Sequence, residues 1–286
     1  MKNDTASTSE STTPAFKPDW GHDRRYPLLQ VDQLSVQYDR RTALEEVSFT
    51  VTQSERLAVV GPNGAGKSTL FKAIVGVLPP SHGSVHIYGE QPGVHICIAY
   101  VPQRSQVDWD FPVNVLDVVL MGRTRKRGVF RPFRREDEQA ARQSLAEVGL
   151  ANLAKSPIHQ LSGGQQQRMF IARALAQEAE LILMDEPLTG LDIPSQEEIF
   201  HIWDSLKRQG VTVMVALHDL KIAADRFDRV MLLNRRIVGI GSPAEAFTTA
   251  NLQAAYGQRI AIAAESDVLS ALTDTCCGEG EEHHHA

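Results

Sequence analysis

The stretch of sequence that decides the fold is Gly61-Pro62-Asn63-Gly64-Ala65-Gly66-Lys67-Ser68-Thr69. It fits the pattern G-x-x-x-x-G-K-[ST], in which glycines let successive backbone N–H groups approach a polyphosphate. An apolar run at residues 57–60 precedes it, and a helix-like run at 70–75 follows it. This strand, loop and helix order is what the pattern requires, so we predict a phosphate-binding loop. Lys67 would place a positive charge on the outer phosphates, and the Ser68 hydroxyl would be a ligand for Mg²⁺.

A second pattern places two carboxylates at the end of a predicted buried strand. Residues 181–184 are all apolar, and Asp185 and Glu186 follow at once. Ligands bind at the carboxyl ends of strands in doubly wound sheets, so we expect both acids to face the loop at 61–69. Asp185 suits the Mg²⁺ shell, and Glu186 suits the attacking water of a hydrolytic reaction. The alternative is an acidic turn that only ends a strand.

A third pattern is a second glycine-rich helix start, Leu161-Ser162-Gly163-Gly164-Gln165, before a strong helix pattern at 166–175. Ser162 is a good N-cap, and the two glycines expose backbone N–H groups, so this is a second candidate anion site. One nucleotide does not need two such sites from one chain. We therefore expect the second site to serve a nucleotide that another copy of the chain holds.

Together these patterns resemble the ATP-binding subunit of an ABC transporter, over about residues 28–257. Every named motif of that family has a candidate here, in the family's order. The candidates are Tyr38 for the aromatic that stacks on adenine, 61–69 for Walker A, Gln103 for the Q-loop, 161–165 for the signature motif, 181–186 for Walker B with the catalytic glutamate, Asp192 for the D-loop and His218 for the switch histidine. Tyr38 could instead be only an aromatic at a sheet edge.

The resemblance implies an α/β fold with a P-loop ATPase core, an antiparallel β lobe and an inserted helical lobe. It implies ATP and Mg²⁺ as cofactors, with Ser68, Gln103 and Asp185 around the Mg²⁺. Catalysis would fall to Glu186 and His218 with Gln103. The implied partners are a second copy in a head-to-tail dimer, transmembrane permease subunits and, indirectly, a substrate-binding protein. The expected location is peripheral, on the cytoplasmic face of the inner membrane.

The stretch at 106–112, with 115–119 and 121–123 after it, resembles the manganese/zinc/iron branch of bacterial importers. Other importers, for chelated iron or a vitamin, stay open, because the transported substrate never meets this subunit. A soluble ABC protein that acts on nucleic acid is less favoured, because the chain has one set of ATP-site motifs and a net charge of −6. A non-catalytic scaffold is disfavoured by the presence of both Glu186 and His218.

The predicted organisation has three parts: a disordered tail at 1–25, an ABC ATPase domain at 26–262 with its helical lobe at about 108–176, and a flexible tail at 263–286. Alternating apolar residues predict antiparallel strands within 28–56 and at 83–89. Within the helical lobe we predict helices at 113–121 and 136–148. Near the end of the domain we predict a hairpin turn at 234–236 and one final helix over 243–256.

Three features keep alternatives open. The basic run from Arg123 to Arg135 is either a solvated loop or a surface that faces anionic lipid or an acidic partner. Trp109 and Phe111 either tuck into the core or line the cleft that receives the permease. The C-terminal cysteines and histidines either bind metal or are a remnant of tagging. The three cysteines give no disulfide framework, and no apolar run approaches the ~20 residues of a membrane span.

Overall fold

The computed structural model describes residues 21–38, 41–91, 97–127 and 131–257. The strands are β1 (Leu29–Tyr38), β2 (Arg41–Val51), β3 (Arg56–Val60), β4 (His82–Ile87), β5 (Ile98–Val101), β6 (Leu181–Asp185), β7 (Thr212–Leu217), β8 (Arg229–Asn234) and β9 (Arg236–Gly241). The helices are α1 (Lys67–Ile74), α2 (Val115–Leu120), α3 (Thr124–Arg127), α4 (Arg135–Glu147), α5 (Gly163–Ala176), α6 (Ile193–Arg208), α7 (Leu220–Arg226), α8 (Pro243–Ala246) and α9 (Thr249–Tyr256).

Two sheets form the framework. One has six strands in the order β5-β6-β7-β3-β8-β9, parallel through β8 and closed by antiparallel β9. The other is antiparallel, in the order β2-β1-β4. This arrangement confirms the predicted fold class, an α/β core with an antiparallel β lobe. β6 and β7 are buried along their whole length, which explains their continuous apolar sequence.

The larger sheet separates two hydrophobic cores. In β3, Ala58 and Val60 belong to one core while Leu57 and Val59 belong to the other, as the alternation of a strand requires. The first core also contains the helical region, including Phe170 of α5. The sheet is therefore covered on both faces, and the ends of its strands are the places where side chains can meet a ligand.

The predicted helices of the helical region are present with small shifts. The prediction at 113–121 corresponds to α2, which starts at a capping box between Asn114 and Asp117 and continues into a 3₁₀ turn. The prediction at 136–148 corresponds to α4. The solvated-loop interpretation of the basic run is wrong for Arg123, which is 6% exposed. Arg123 donates to Ala176 O at 2.9 Å and pairs with Asp137 and Glu178, so it joins α4 to the end of α5.

The C-terminal part confirms one prediction and corrects another. A hairpin joins β8 to β9, and Arg235 at its tip has a φ of 61°. The single helix predicted over 243–256 is wrong, because α8 and α9 are separate helices. Thr248 explains the break: its side chain accepts from the N–H of Asn251, so it caps a new helix start.

Several predictions lie outside the described residues. These are the tail at 1–20, the last residues of the domain and the C-terminal tail with Cys276, Cys277 and the histidines at 283–285. Within the described ranges, none of the helices has both the length and the apolar character that crossing a membrane requires.

Candidate functional site

The loop at 61–69 joins the end of β3 to the start of α1, as predicted. Gly66, the residue directly before α1, has a φ of 99°. Residues other than glycine rarely adopt this backbone conformation. At Gly61 an added Cβ would lie 2.0 Å from the backbone oxygen of Leu233, so only glycine fits there. The two glycines let the loop run close to β8 and then turn directly into α1. This turn places the backbone N–H groups at the start of α1 directly after the loop, as phosphate binding at a helix N-terminus requires.

Lys67 is the first residue of α1 and is 5% exposed. Its Nζ donates to the backbone oxygens of Gly61 at 2.7 Å and Pro62 at 3.2 Å, so the side chain folds back over the loop. Burial lowers the pKa of Lys67, while the charges of Glu186 and Asp185 oppose that shift. The ammonium is therefore held between the loop and the two acids, where a phosphate group would be attracted.

Asp185 ends β6 and is 1% exposed. Tyr100 Oη lies 3.3 Å from its Oδ2, and the Ser68 hydroxyl bonds to the same carboxylate. Burial raises the pKa of Asp185, although the bonds from Ser68 and Tyr100 and the charge of Lys67 lower it. Its Oδ1 is buried without a hydrogen-bond partner among the described residues. A buried carboxylate oxygen in that state, beside a serine hydroxyl, fits a hard cation such as Mg²⁺.

Glu186 follows Asp185 with a φ of 50°, which is uncommon for a residue other than glycine. Its N–H donates to Ala216 O at 3.1 Å, across to the neighbouring strand β7. Its side chain is bonded by Gln103 Nε2 at 2.9 Å and by His218 Nε2. Because β5, β6 and β7 are adjacent and parallel, their carboxyl ends bring these three residues together. The grouping agrees with the sequence prediction, while the role of each residue stays a prediction.

The hydrogen bond from His218 is the largest cause of a lowered pKa for Glu186. The charges of His218 and Lys67 act in the same direction, and partial burial opposes them. The carboxylate is therefore ionised at neutral pH. An ionised carboxylate beside a phosphate loop can accept a proton from water.

The signature segment is built differently. Ser162 is exposed and caps α5: its side chain accepts from the N–H of Gln165 at 3.3 Å, and its own N–H donates to Gln165 Oε1 at 2.9 Å. Gly164 packs closely on α6, since an added Cβ would lie 2.7 Å from Ser195 Oγ. Among the described residues, no hydrogen bond joins 162–165 to the loop at 61–69. The two glycine-rich helix starts are separate surfaces within one chain.

Asp192 and Tyr38 lie at exposed positions. Asp192 caps α6, with the N–H of Ser195 donating to its Oδ1 at 3.1 Å, and these bonds lower the pKa of Asp192. Tyr38 is 45% exposed at the end of β1. Its surface position leaves a ring face available, as adenine stacking requires, but equally fits an aromatic at a sheet edge.

The loop after Gln103 separates its two aromatic residues. Trp109 is half-buried, stacks edge-on against Phe170 with ring centres 5.8 Å apart and donates from Nε1 to Arg104 O. Phe111 is 53% exposed. A cavity of about 370 Å³ connects Trp109 to Gln103 and Glu186. The core interpretation therefore holds in part for Trp109 and is wrong for Phe111, while contact of either residue with the permease stays a prediction.

Sequence analysis missed Tyr100 as a partner of Asp185. Tyr100 lies in β5, which pairs in parallel with β6, and its partner in register is Leu183. A polar group in an otherwise apolar strand next to Walker B was the available signal. Because β5 is the strand beside β6, its polar residue could have been predicted to lie near Asp185.

Comparison with known proteins gives the family. The ABC transporter family model matches residues 44–189. The manganese transport system ATP-binding protein MntB of Bacillus subtilis is 43% identical over 233 residues, covering 81% of this chain and 93% of that protein. The zinc transport system ATP-binding protein TroB of Treponema pallidum is 46% identical over 234 residues, covering 81% of this chain and 88% of that protein.

Solved structures agree with the fold. A putative metal-chelate type ABC transporter in an inward-facing conformation superposes with a TM-score of 0.72 at 32% identity, covering 81% of this chain and 89% of that one. A nucleotide-free ATP-binding cassette superposes with a TM-score of 0.68 at 26% identity, covering 76% of this chain and 92% of that one. The chain belongs to the ABC transporter family, as an ATP-binding subunit whose hydrolysis of ATP drives transport.

Proposed function

We propose that this chain energises a bacterial importer of a divalent transition metal, with manganese as the first candidate substrate and zinc or iron as the others. The observation that carries the catalytic part is the ionised Glu186, bonded by Gln103 and His218 beside the phosphate loop. The substrate part is supported by the names of the relatives, which are manganese and zinc transport proteins at 43% and 46% identity.

In the proposed reaction, water attacks the γ-phosphorus of ATP, the bond to the β–γ bridging oxygen breaks, and ADP and phosphate result. Glu186 orients the water and accepts its proton. Lys67 leaves the loop carbonyls and pairs with the phosphates, exchanging the bonds to Gly61 and Pro62 for stronger charge-assisted ones. His218 holds Glu186 in place through their shared hydrogen bond. Phosphoryl transfer needs mainly such positioning and charge stabilisation.

Ser68 and Asp185 are the residues that would hold Mg²⁺, and Gln103 would join them on rotating away from Glu186. The support is the buried Asp185 Oδ1 without a hydrogen-bond partner and the neighbouring Ser68 hydroxyl. When bound, Mg²⁺ neutralises charge on the phosphate oxygens. Tyr100 fixes the other oxygen of Asp185, so that the carboxylate has one orientation.

ABC ATP-binding subunits dimerise and work with permease subunits, and we propose a head-to-tail dimer here. Each ATP would lie between the loop at 61–69 of one copy and the signature segment of the other. The exposure of Ser162 and its separation from the phosphate loop of its own chain support this arrangement. Ser162, Gly163, Gly164 and Gln165 would contact the phosphates, and Asp192 would lie at the dimer interface.

The permease would dock beside the loop at 108–112. Phe111 is exposed there, and the cavity next to Trp109 reaches Gln103. A permease helix in this cavity would therefore sense whether Gln103 bonds to Glu186 or turns to the nucleotide. A substrate-binding protein would act on the far side of the membrane, and this chain would lie on the cytoplasmic face.

A second candidate substrate is a chelated iron. A Yersinia pestis protein named as part of a chelated iron transport system is 42% identical over 236 residues. We propose no nucleic-acid partner, on the basis of the net charge of −6 and the single set of ATP motifs.

The test is metal uptake in cells that carry the chain with Glu186→Gln. We expect loss of manganese uptake, measured with a radioactive tracer, while Glu136→Gln at an exposed position of α4 keeps uptake at the wild-type level. Parallel assays with zinc, ferrous iron and a chelated iron identify the substrate. If all four of these substrates enter at the wild-type rate in the Glu186→Gln strain, the metal importer proposal is wrong, whatever the ATPase activity of the purified protein.

A further inference from the structure

A second cluster of metal-ligand side chains lies at the amino ends of β5 and β6, the opposite end of the sheet from Asp185 and Glu186. Cys97 comes directly before β5, Glu180 directly before β6, and His22 lies in the segment before β1. Each offers one ligand atom, and the three atoms all lie within 4.8 Å of one another. His22 Nε2 and Glu180 Oε2 are 3.9 Å apart.

The backbone holds Cys97 and Glu180 in fixed positions. Cys97 O accepts from the N–H groups of Glu180 at 2.7 Å and Leu181 at 3.1 Å, and Glu180 O accepts from Thr212 N at 2.8 Å. The His22 ring stacks on Tyr88, with ring centres 4.5 Å apart and planes 17° from parallel. The three side chains converge from three separate segments, which is typical of a metal site rather than of a local turn.

The cluster is also shielded from water. Cys97 is 2% exposed, and the side chains of His22 and Glu180 are 15% and 12% exposed. The Tyr88 hydroxyl bonds to the Glu180 carboxylate, but the buried Oε2 atom of that carboxylate has no hydrogen-bond partner of its own among the described residues. A buried carboxylate oxygen in that state is costly unless a cation compensates it.

We propose that His22, Cys97 and Glu180 bind Zn²⁺. Tetrahedral zinc with bonds of about 2.0–2.3 Å needs ligand atoms roughly 3.3–3.8 Å apart, so no pair of ligand atoms has to move together by more than about 1–1.5 Å. On binding, the Cys97 thiol loses its proton to solvent and the thiolate takes its place in the shell. A thiolate and an imidazole select zinc over manganese or magnesium. Three protein ligands leave a fourth position for water.

A Zn²⁺ ion at this position would connect the segment before β1 to the sheet. The site is remote from the phosphate loop and uses softer ligands than Ser68 and Asp185. Zinc binding at this cluster does not depend on which substrate the transporter carries, so it can be tested separately from the proposed function.

The test uses the full chain with its tail silenced by Cys276→Ser, Cys277→Ser and His283→Ala, His284→Ala, His285→Ala. The chain has three cysteines, so Cys97 is then the only thiol. Co²⁺ is titrated as a spectroscopic substitute, and zinc affinity is measured by competition with a coloured chelator. We expect one Co²⁺ per chain with a thiolate-to-cobalt absorption band, and loss of the band on addition of Zn²⁺.

Three single variants in this background locate the ligands. Cys97→Ser should abolish the thiolate band, and His22→Ala and Glu180→Gln should each weaken zinc binding at least about 10-fold. The matched controls are His201→Ala and Glu136→Gln, which replace exposed residues of the same types. Circular dichroism and ATP binding check the fold of each variant. No thiolate band, or a zinc affinity that His22→Ala and Glu180→Gln leave unchanged, would mean that the cluster is a packing feature only.

Discussion

The two glycine-rich helix starts of this chain differ in what they face. The loop at 61–69 faces its own chain: Lys67 is buried, and Asp185 and Glu186 lie opposite it. The signature segment faces outward: Ser162 is exposed, and its hydrogen bonds to Gln165 cap its own helix. This difference is what the proposed shared ATP site requires: one half of the site formed within a single chain and the other half supplied by a partner.

The same contrast predicts different effects for mutations in the two regions. Changes beside the phosphate loop should alter chemistry or nucleotide affinity in a single chain. Changes in the signature segment should leave the single chain intact and appear only when two chains meet.

Glu186→Gln should have the largest effect. The amide keeps the shape and the bonding to Gln103 but cannot accept a proton, so we expect the rate of ATP hydrolysis to fall by about 10²–10⁴-fold with ATP binding retained. An ATP-bound dimer should accumulate, visible by size-exclusion chromatography. Glu136→Gln is the matched control and should hydrolyse ATP normally. Near-normal turnover of Glu186→Gln would remove this residue from the chemistry.

Lys67→Ala and Ser162→Arg should separate binding from closure. Lys67→Ala removes the charge-assisted bonds to phosphate, so we expect ATP affinity to fall by about 10–100-fold. Ser162→Arg should leave the ATP affinity of the isolated subunit within about twofold and abolish ATP-dependent dimer formation. Equilibrium titration with a fluorescent ATP analogue measures the first quantity, and light scattering measures the second. An equal loss of affinity in both variants would contradict the division.

The aromatic pair after Gln103 should show a related division. Trp109→Ala should lower the free energy of unfolding by about 1–3 kcal/mol, because the ring packs against Phe170. Phe111→Ala should leave stability within about 0.5 kcal/mol and weaken capture of the permease in a pull-down. Urea unfolding separates the two outcomes. A large stability loss in Phe111→Ala would identify it as a core residue.

The smallest effect concerns pH. His218 holds the pKa of Glu186 below its ordinary value of 4.5, so their bond stabilises the fold above that pH and loses this effect as the pH falls through the lowered pKa. His218→Ala should therefore be less stable than the wild type at pH 7, and the difference should narrow below pH 4.5. Urea unfolding across this range measures it. A difference that widens in acid would contradict the assigned bond.

Local sequence was enough to predict much of the fold and the site. The run at 57–69 encodes strand, loop and helix in order, and the acids after 181–184 follow from the chain direction of a parallel strand. Such information is carried within a few residues. The grouping of Gln103 and His218 with Glu186 was expected only from the resemblance to the ABC family, and the structure accounts for it because all three residues follow neighbouring parallel strands.

What could not be predicted depends on contacts between distant residues. Arg123 lies in a basic run, yet it is buried because Asp137 of α4, Ala176 at the end of α5 and Glu178 in the turn after α5 supply its partners. The break between α8 and α9 depends on one cap at Thr248. The cluster of His22, Cys97 and Glu180 joins three segments that no sequence spacing connects.

The most direct test of the shared ATP site mixes two inactive subunits, Lys67→Ala and Ser162→Arg, both carrying Glu186→Gln so that closed dimers persist. In the mixed dimer one site carries both lesions and the other combines an intact phosphate loop with an intact signature segment. ATP-dependent dimer formation, measured by light scattering, should return to part of the Glu186→Gln level. Dimer formation no greater than in either subunit alone would contradict the shared site.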